Sequence, residues 1–222
     1  MAHLMQSRTK HSVFIVDDHP ILRRGLSEVI NETTDLEVCG EAANVPDALR
    51  QIEATQPQAV VVDITLGDED GLELIDYIKS RWPSMKILVA SAHDEKIFAG
   101  RVLRAGALGF ISKREPLTQV VEALRQVLRG DVYLSSTLAT SMLQRAAVGK
   151  SLDQDPVQAL SNRELQVFQM IGDGLSTQEI ARRLGLSPKT VESHRKTIKM
   201  KLNSQNSSHL SRQAFQWVQE NR

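Results

Sequence analysis

Two adjacent aspartates, Asp17 and Asp18, close a short apolar run in the stretch SVFIVDDHPI. Two like charges side by side repel each other unless a positive group lies between them. Asp63, Ser91 and Lys113 end or follow other apolar runs in the same way. Each aspartate alone is as readily a helix cap or a solvated turn residue. Together, three carboxylates, a hydroxyl and an ammonium could hold a divalent metal ion and bind a phosphoryl group.

The apolar runs before these residues alternate with amphipathic helical patterns. Strands are predicted at residues 13–16, 36–39, 59–62, 87–90 and 109–111. Helices are predicted at residues 20–30, 45–54, 72–80, 95–104 and 117–128. Continuous apolar strands alternating with helices favour an α/β fold, a doubly wound, five-stranded parallel sheet of the flavodoxin-like kind. Such sheets bind ligands at the carboxyl ends of their strands, where the polar residues would gather.

Clustered carboxylates without a group of Cys or His favour Mg²⁺ as the metal. Asp63, between the aspartate pair and Lys113, is then a candidate nucleophile that forms an acyl phosphate. Lys113 would pair with phosphoryl oxygens, and Ser91 would donate a hydrogen bond to one of them. Neither of the two common glycine-rich phosphate loops occurs in the sequence, which disfavours a nucleotide substrate.

Length and composition favour a globular protein of one or two domains, with 222 residues that are 41% hydrophobic. No apolar run approaches the roughly 20 residues that cross a bilayer, and the first residues lack the apolar stretch of a secretory signal. We therefore expect a cytoplasmic protein without membrane association. Cys39 is the only cysteine, so no disulfide can form within the chain.

The net charge of zero conceals an asymmetry between the two ends of the chain. Residues 159–222 hold 10 of the 27 Lys and Arg but only 5 of the 27 Asp and Glu. A basic module suggests a polyanion as partner, although a solvated charged surface is the commoner explanation. We predict an acidic domain at residues 10–133, a linker at 134–158 with a short helix at 135–147, and a basic domain at 159–222.

The basic domain shows three helix starts, at Ser161, Ser176 and Ser187. Glu164 and Glu179 stand at the capping-box spacing after the first two. The stretch RLGLSPKT is typical of a tight turn between two short helices. The sequence therefore predicts a helix-turn-helix.

The third helix of this domain has two contrasting faces. Val191, Ile198 and Leu202 are predicted to pack inward. The opposite face could enter a DNA major groove, with Lys196 at a guanine or a phosphate, Ser193 at a base edge and Glu192 at a cytosine amino group. Phosphate contacts are predicted for Lys189 and Thr190, with Lys199 on the flank. Each lysine alone is more often a solvated surface charge.

Four motifs of the acidic domain, VDDHP, VVVDITLGDEDG, ILVASAH and GFISK, together resemble the receiver domain of two-component response regulators over about residues 10–130. The resemblance implies that Asp63 accepts a phosphoryl group from a partner histidine kinase. It also implies that Mg²⁺ is held by Asp18, Asp63 and the backbone carbonyl of Thr65, with Asp17 acting largely through water.

The same resemblance assigns switch roles to Ser91, which follows the phosphoryl group, and to Phe110, whose ring would repack as Ser91 moves. For Phe110 an ordinary core position is an equal alternative. One position departs from the family, which usually has a proline four residues after the phosphoacceptor where this chain has Gly67. Glycine loosens the backbone beside the metal site. His93 falls where the family tunes dephosphorylation, but a solvated loop histidine is the simpler interpretation.

The segment from about residue 159 to 202 is similar to the LuxR-type helix-turn-helix, and a receiver followed by this module resembles the NarL/FixJ family. The family's base-contacting positions fall on Glu192, Ser193 and Lys196, while Arg195 lies on a flank where structural and phosphate roles compete. A last helix is predicted at about residues 208–219. The family uses it to pair two copies, which would involve Leu210, Ala214 and Phe215; closure of a small four-helix core is the alternative.

These features predict a phosphorylation-regulated DNA-binding transcription regulator that is a homodimer when phosphorylated. It would not be an enzyme beyond its own phosphoryl transfer and slow autodephosphorylation. One alternative is a Mg²⁺-dependent aspartyl phosphohydrolase, although such hydrolases carry D-x-D after the first strand and this chain has Asp17-Asp18-His19. Another is a DNA-binding regulator whose receiver is a dimerisation module independent of phosphorylation, for which Gly67 is the support.

Overall fold

The computed structural model describes residues 10–67, 69–92, 95–147 and 156–221. The chain divides into two compact units, Met1–Met142 and Leu143–Arg222, each of which is described by itself. Among the described residues, no helix combines the length and the apolar character that crossing a lipid bilayer requires.

The first unit is built on a five-stranded parallel sheet, as predicted. Its strands are β1 (His11–Val16), β2 (Leu36–Ala42), β3 (Ala59–Val62), β6 (Lys86–Ser91) and β7 (Gly109–Ser112). The strand order is β2-β1-β3-β6-β7, and every neighbouring pair is parallel. The side chains of β3 are buried on both faces of the sheet, which explains why this strand is a continuous apolar run.

Six helices belong to the first part of the chain: α1 (Pro20–Asn31), α2 (Val45–Thr55), α3 (Gly71–Arg81), α4 (Glu95–Arg104), α5 (Leu117–Leu128) and α6 (Ser136–Ala147). Side-chain caps mark the starts of α2 and α3. Asn44 accepts a hydrogen bond from the Asp47 backbone at the start of α2, and Asp70 accepts one from Leu72 at the start of α3. The helices predicted from the sequence lie within one or two residues of these bounds.

A small hairpin between β3 and α3 was not predicted. Strand β4 (Thr65–Leu66) pairs antiparallel with β5 (Glu69–Asp70). Gly67, in the turn of the hairpin, has a φ of +61°, a left-handed conformation that glycine adopts without a steric penalty. Residues 65–66 and 69–70, after Asp63, are thus paired as two short strands.

The chain after α5 returns to the edge strand β7. Tyr133 forms a parallel bridge with Gly109. Its N–H donates to Leu108 O (2.9 Å), and its carbonyl accepts from Phe110 N (3.0 Å). Further along, Ser135 Oγ donates to Glu95 Oε1 at the start of α4. The helix predicted at residues 135–147 is α6, whereas residues 148–155 of the predicted linker lie outside the described part of the chain.

The second unit is helical, with α7 (Asn162–Gly172), α8 (Thr177–Leu184), α9 (Pro188–Lys201) and α10 (Ser207–Asn221) after a short 3-10 helix, Pro156–Ala159. Both predicted capping boxes form, at the starts of α7 and α8. Gly185 ends α8 with a φ of 66°. Val191, Ile198 and Leu202 of α9 are buried, so the predicted inward face is confirmed.

Candidate functional site

The predicted acidic residues of the first unit come together at the carboxyl ends of β1 and β3. Asp17 N donates to Ala42 O (3.1 Å) and Asp63 N to Val16 O (2.9 Å), so backbone hydrogen bonds that continue the sheet fix both residues. Asp17, Asp18, His19 and Asp63 each offer an atom able to bind a metal, and these atoms lie within 4.8 Å of one another. We refer to this group, with Lys113, as the acidic pocket.

Lys113 lies in the acidic pocket between two of the carboxylates. Its Nζ is 2.6 Å from Asp63 Oδ2 and 2.7 Å from Asp17 Oδ2. Its side chain is only 9% exposed, so water screens these interactions weakly. The backbone N–H of Lys113 donates to Ser91 O (2.8 Å), which ties the residue to the end of β6.

The carboxyl group of Asp63 has a raised pKa. Burial raises its pKa from 3.8 to about 6, because an ionised carboxylate loses its water; the charge and hydrogen bond of Lys113 oppose this effect, and the charge of Asp17 adds to it. Thr65 N donates to Asp63 Oδ1 (3.2 Å). At neutral pH Asp63 is therefore an ionised, poorly solvated carboxylate, which suits a nucleophile.

The donor set of the pocket fits a hard divalent cation. Three carboxylates face one ammonium, which leaves two negative charges unbalanced. Asp18 Oδ1 is buried and accepts no hydrogen bond from the part of the chain that the structure describes, although His19 Nδ1 lies 2.7 Å from it. A buried carboxylate oxygen without a hydrogen bond is unfavourable unless a cation binds it. Oxygen-rich sites of this kind suit Mg²⁺.

The two predicted switch residues are buried in the sheet beside the pocket. Ser91 ends β6, and Phe110 lies in β7; both side chains are 0% exposed. Phe110 pairs with Val89, two residues before Ser91. Since side chains two residues apart on a strand share a face, Ser91 and Phe110 lie on the same face of the sheet. His93 lies outside the described residues.

Three residues around the pocket were missed by the sequence reasoning. His19, interpreted there as part of a turn, joins the cluster through Nδ1. Arg23 donates to the backbone O of Asp17 (2.6 Å) and pairs with Glu41 (3.3 Å). Glu69 of β5 accepts a hydrogen bond from the N–H of Val45 (2.6 Å). Only the spacing of His19 beside the aspartates offered a sequence signal, because the other contacts join distant segments.

The second unit presents the predicted outer face of α9 to solvent. Lys189, Ser193, Lys196 and Met200 are exposed. Lys199 is half-buried on the flank. The arrangement provides a basic, solvent-facing helix that follows a tight turn, which is the geometry of a recognition helix.

Other predicted contact residues of α9 also serve the unit's own structure. Thr177 Oγ1 of α8 donates to Glu192 Oε1 (2.6 Å), and the two helices are thereby joined. The side chain of Arg195 is 15% exposed and lies 3.7 Å from Glu192. The Thr190 hydroxyl is 2.7 Å from the Ser187 hydroxyl at the helix start. The side chains of Glu192, Arg195 and Thr190 thus make contacts within the second unit.

The three residues predicted to pair two copies occupy different environments on α10. Leu210 and Ala214 are 0% exposed, and the Ala214 backbone lies so close to α7 that a Cβ added at Gly172 would be 2.5 Å from Ala214 O. These two residues close the core of the unit. Phe215 is 57% exposed and faces solvent.

Comparison with protein families covers both units. Residues 13–125 match the response regulator receiver domain, and residues 158–214 match the bacterial regulatory proteins of the luxR family. The chain belongs to the NarL/FixJ family of response regulators. It is therefore a two-component response regulator with a receiver and a LuxR-type DNA-binding domain. The family consists of transcription regulators, which disfavours the phosphohydrolase hypothesis.

Similar proteins extend over nearly the whole response regulator. It is 35% identical to the oxygen regulatory protein NreC of Staphylococcus carnosus over 196 residues, covering 86% of this chain and 90% of NreC. It is 37% identical to the virulence factors transcription regulator BvgA of Bordetella pertussis over 194 residues, covering 87% of this chain and 91% of BvgA. The order of the two domains is thus shared.

A solved structure of RcsB from Salmonella enterica serovar Typhimurium is similar to the response regulator, with a TM-score of 0.59 and 26% identity. The match covers 92% of this chain and 98% of the RcsB chain. In that structure RcsB is bound to the promoter rprA in the presence of the phosphomimetic BeF3⁻. The similarity supports the fold of both units.

Proposed function

We propose that this response regulator is a phosphorylation-controlled transcription regulator in which Asp63 accepts a phosphoryl group from a partner histidine kinase in the presence of Mg²⁺. The observation that carries the proposal is the position of Lys113, whose Nζ bridges Asp63 and Asp17 at 2.6 and 2.7 Å in a buried pocket. One cation therefore already stands where the added phosphoryl oxygens would need a partner.

The proposed reaction transfers a phosphoryl group from a histidine nitrogen of the kinase to a carboxylate oxygen of Asp63. A carboxylate oxygen of Asp63 forms a bond to phosphorus while the bond to the donor's histidine nitrogen breaks, and that nitrogen keeps the bonding electrons. Asp18, Asp63 and the Thr65 carbonyl would hold Mg²⁺, with Asp17 acting through water; the bound ion would offset the charge of the phosphoryl oxygens. Lys113 would leave Asp63 for a phosphoryl oxygen, and Ser91 would donate to another.

The proposed output passes through Phe110 and the segment after α5. The N–H of Phe110 donates to Tyr133 O (3.0 Å), so a change in the packing of Phe110 acts directly on the chain that leads into α6. Phosphorylation would shift an existing equilibrium of the receiver and so control dimerisation or release of the DNA-binding domain. We propose the receiver at residues 10–133, the linker at 134–158 and the DNA-binding domain at 159–222.

The proposed target is double-stranded DNA, and the protein would act in the cytoplasm, where that DNA is. Lys196 and Ser193 are exposed on α9 and are proposed to read bases, while Lys189 and Lys199 contact phosphates. Phe215 supports the proposed homodimer, because it is a large apolar side chain left exposed on α10. Glu192, Thr190 and Arg195 would reach DNA only after leaving the partners described above.

The phosphoryl step is tested by treating the full-length protein with acetyl phosphate, with Mg²⁺ or with EDTA, and measuring the intact mass. We expect the wild-type protein to gain one phosphoryl group with Mg²⁺ and none with EDTA. Asp63→Asn should gain none under either condition. Asp35→Asn, an exposed carboxylate of the same unit, is the matched control and should behave as the wild type.

The regulatory step is tested by selecting bound sequences from random DNA with and without acetyl phosphate. Affinity for the selected DNA should rise on phosphorylation of the wild type and stay unchanged for Asp63→Asn. Labelling of Asp63→Asn, or an equal response of both proteins to the phosphodonor, would contradict the proposal. Labelling without any change in DNA binding would reject the switch and keep the phosphoacceptor.

A further inference from the structure

The hairpin β4–β5 contains a contact to the acidic pocket that a typical receiver sequence could not make. The N–H of Gly67 donates to Asp18 Oδ2 at 3.0 Å. The two residues are 49 positions apart in the sequence. The resemblance to receivers placed a proline at this position, and proline has no N–H to donate.

The backbone conformation of Gly67 separates it from proline as well. Its φ is +61°, whereas the proline ring holds φ near −65°. Among the described residues, nothing lies within 4 Å of a Cβ added at this position, so the conformation and not a lack of space limits substitutions. Asparagine visits this region more readily than other non-glycine residues and keeps the N–H.

A second contact anchors the hairpin from its other strand. Leu66 pairs with Glu69 across the hairpin, and Glu69 Oε2 accepts a hydrogen bond from Val45 N (2.6 Å). Val45 is the first residue of α2, where backbone N–H groups have no partner within the helix. A carboxylate is favourable there, because it also interacts with the positive end of the helix dipole. The hairpin is thus fixed at both the pocket and α2.

The orientation of Asp18 follows from these contacts. Oδ2 accepts the N–H of Gly67, and Oδ1 is the buried oxygen that accepts no hydrogen bond from the described residues. One oxygen is therefore held by the hairpin, while the other faces the pocket with His19 Nδ1 2.7 Å away.

We propose that the N–H of Gly67 is a positioning group that holds Asp18 for Mg²⁺ and that Glu69 anchors the hairpin that presents it. The proposal rests on the proposed function, because it assumes that Asp18 is a ligand of the ion. In this chain the hydrogen bond from Gly67 N–H to Asp18 restrains the loop where the family usually has a proline. Glycine at this position therefore does not leave the loop unrestrained.

The test is a Mg²⁺ titration of the unphosphorylated full-length protein by isothermal titration calorimetry. Gly67→Asn should bind within about twofold of the wild type, and Gly67→Ala, which keeps the N–H in a less favourable conformation, should remain close to it. Gly67→Pro removes a hydrogen bond to a charged group, and a loss of about tenfold or more in affinity is expected. Unfolding by urea in EDTA shows whether Gly67→Pro still folds.

The anchor is tested with a charge-matched pair. Glu69→Ala should weaken Mg²⁺ binding severalfold and increase hydrogen exchange at the Gly67 amide. Glu73→Ala removes an equal charge from an exposed position in the first turn of α3 and should change neither quantity. If Gly67→Ala and Gly67→Pro lose equal affinity, conformation and not the N–H is responsible, and the positioning role is rejected.

The outcomes also separate this inference from the proposed function. A wild-type protein that binds no Mg²⁺ would remove the metal from the proposed function. A wild type that binds Mg²⁺ and a folded Gly67→Pro that binds it equally well would overturn the positioning role alone. If Gly67→Pro does not fold, Glu69→Ala and Gly67 hydrogen exchange still decide the question.

Discussion

Replacing Asp63 with asparagine should stabilise the metal-free receiver at neutral pH, although it removes an ion pair with Lys113. Asp63 is 3% exposed, and its pKa is raised to about 6 mainly by burial. The folded protein therefore binds the proton of this carboxyl more tightly than the unfolded chain does. Asparagine has the shape of the protonated form and carries no charge. Lys113 keeps its contact with Asp17 at 2.7 Å.

The size of the effect follows from the pKa difference. A rise in the pKa of Asp63 from 3.8 to about 6 on folding corresponds to about 3 kcal/mol of folding stability. The wild type has this stability below the unfolded pKa and loses it as the pH rises through about 6. The free energy of unfolding of Asp63→Asn should therefore exceed that of the wild type by about 1 kcal/mol at pH 4.5 and about 3 kcal/mol at pH 7.5.

Urea unfolding in EDTA measures this difference if the receiver is followed separately. The chain has two tryptophans, and a Trp217→Phe background leaves Trp82, at the end of α3, as the reporter. Saturating Mg²⁺ should reduce the difference in the free energy of unfolding between Asp63→Asn and the wild type, because the ion stabilises the folded wild type, which presents the assembled site. Asp35→Asn is a control whose stability should change in the opposite direction. The hydrogen bond from Arg125 lowers the pKa of Asp35, so removing this carboxylate should reduce stability at pH 7.5.

Two results would contradict this origin of the stability difference. A stability difference between Asp63→Asn and the wild type that does not change from pH 4.5 to 7.5 would show that ionisation of Asp63 is not its origin. A mutant less stable than the wild type at pH 7.5 would show that the ion pair with Lys113 outweighs desolvation.

Three further predictions concern other contacts. Gly71→Ala would place a Cβ 2.2 Å from the backbone O of Asp63, so it should destabilise the receiver by about 3 kcal/mol in urea unfolding and abolish labelling by acetyl phosphate. Burial raises the pKa of Glu164. The hydrogen bonds from Lys201 and the Ser161 backbone lower it by more, so the pKa of Glu164 lies below its usual value. Its stabilising effect is thus present above pH 4.5 and lost as the pH falls through the lower folded pKa; Glu164→Ala should cost roughly 2 kcal/mol at pH 7 and much less in acid, as thermal unfolding can measure. If Lys196 contacts a phosphate, Lys196→Ala should reduce the salt dependence of DNA binding by about one counterion. If Lys196 contacts a base, the variant should instead relax the sequence preference at one base pair. Fluorescence anisotropy with DNA variants at several salt concentrations distinguishes the two results.

The strands of the five-stranded sheet and the α-helices were predictable because each follows from a local pattern, whereas the hairpin of β4 and β5 was missed. Apolar runs such as residues 59–62 gave β3 with the same bounds, and Ser161 and Ser176 marked the starts of α7 and α8 through their capping boxes. These signals depend on residues within one turn of helix or one strand, so no distant contact was needed to interpret them.

The acidic pocket was partly predictable for a topological reason. In a parallel sheet all strands end at the same edge, so the sequence positions of Asp17, Asp63 and Lys113 were enough to place them near one another. The pKa of Asp63 was not predictable, because it depends on how completely the surrounding chain excludes water. Nor was the difference between Leu210, which is buried, and Phe215, which is exposed on the same helix.

Local patterns in the amino-acid sequence are enough to specify the alternation of strands and helices in the five-stranded sheet, the acidic character of the pocket and the basic outer face of α9. The folded chain is needed to bring particular atoms together: Lys113 with two aspartates, Gly67 N–H with Asp18, and Glu69 with α2. The difference lies in the distance along the chain over which each interaction acts. Periodicity and capping act between near neighbours, whereas a hydrogen bond between residues 49 positions apart exists only after the sheet has brought two loops together.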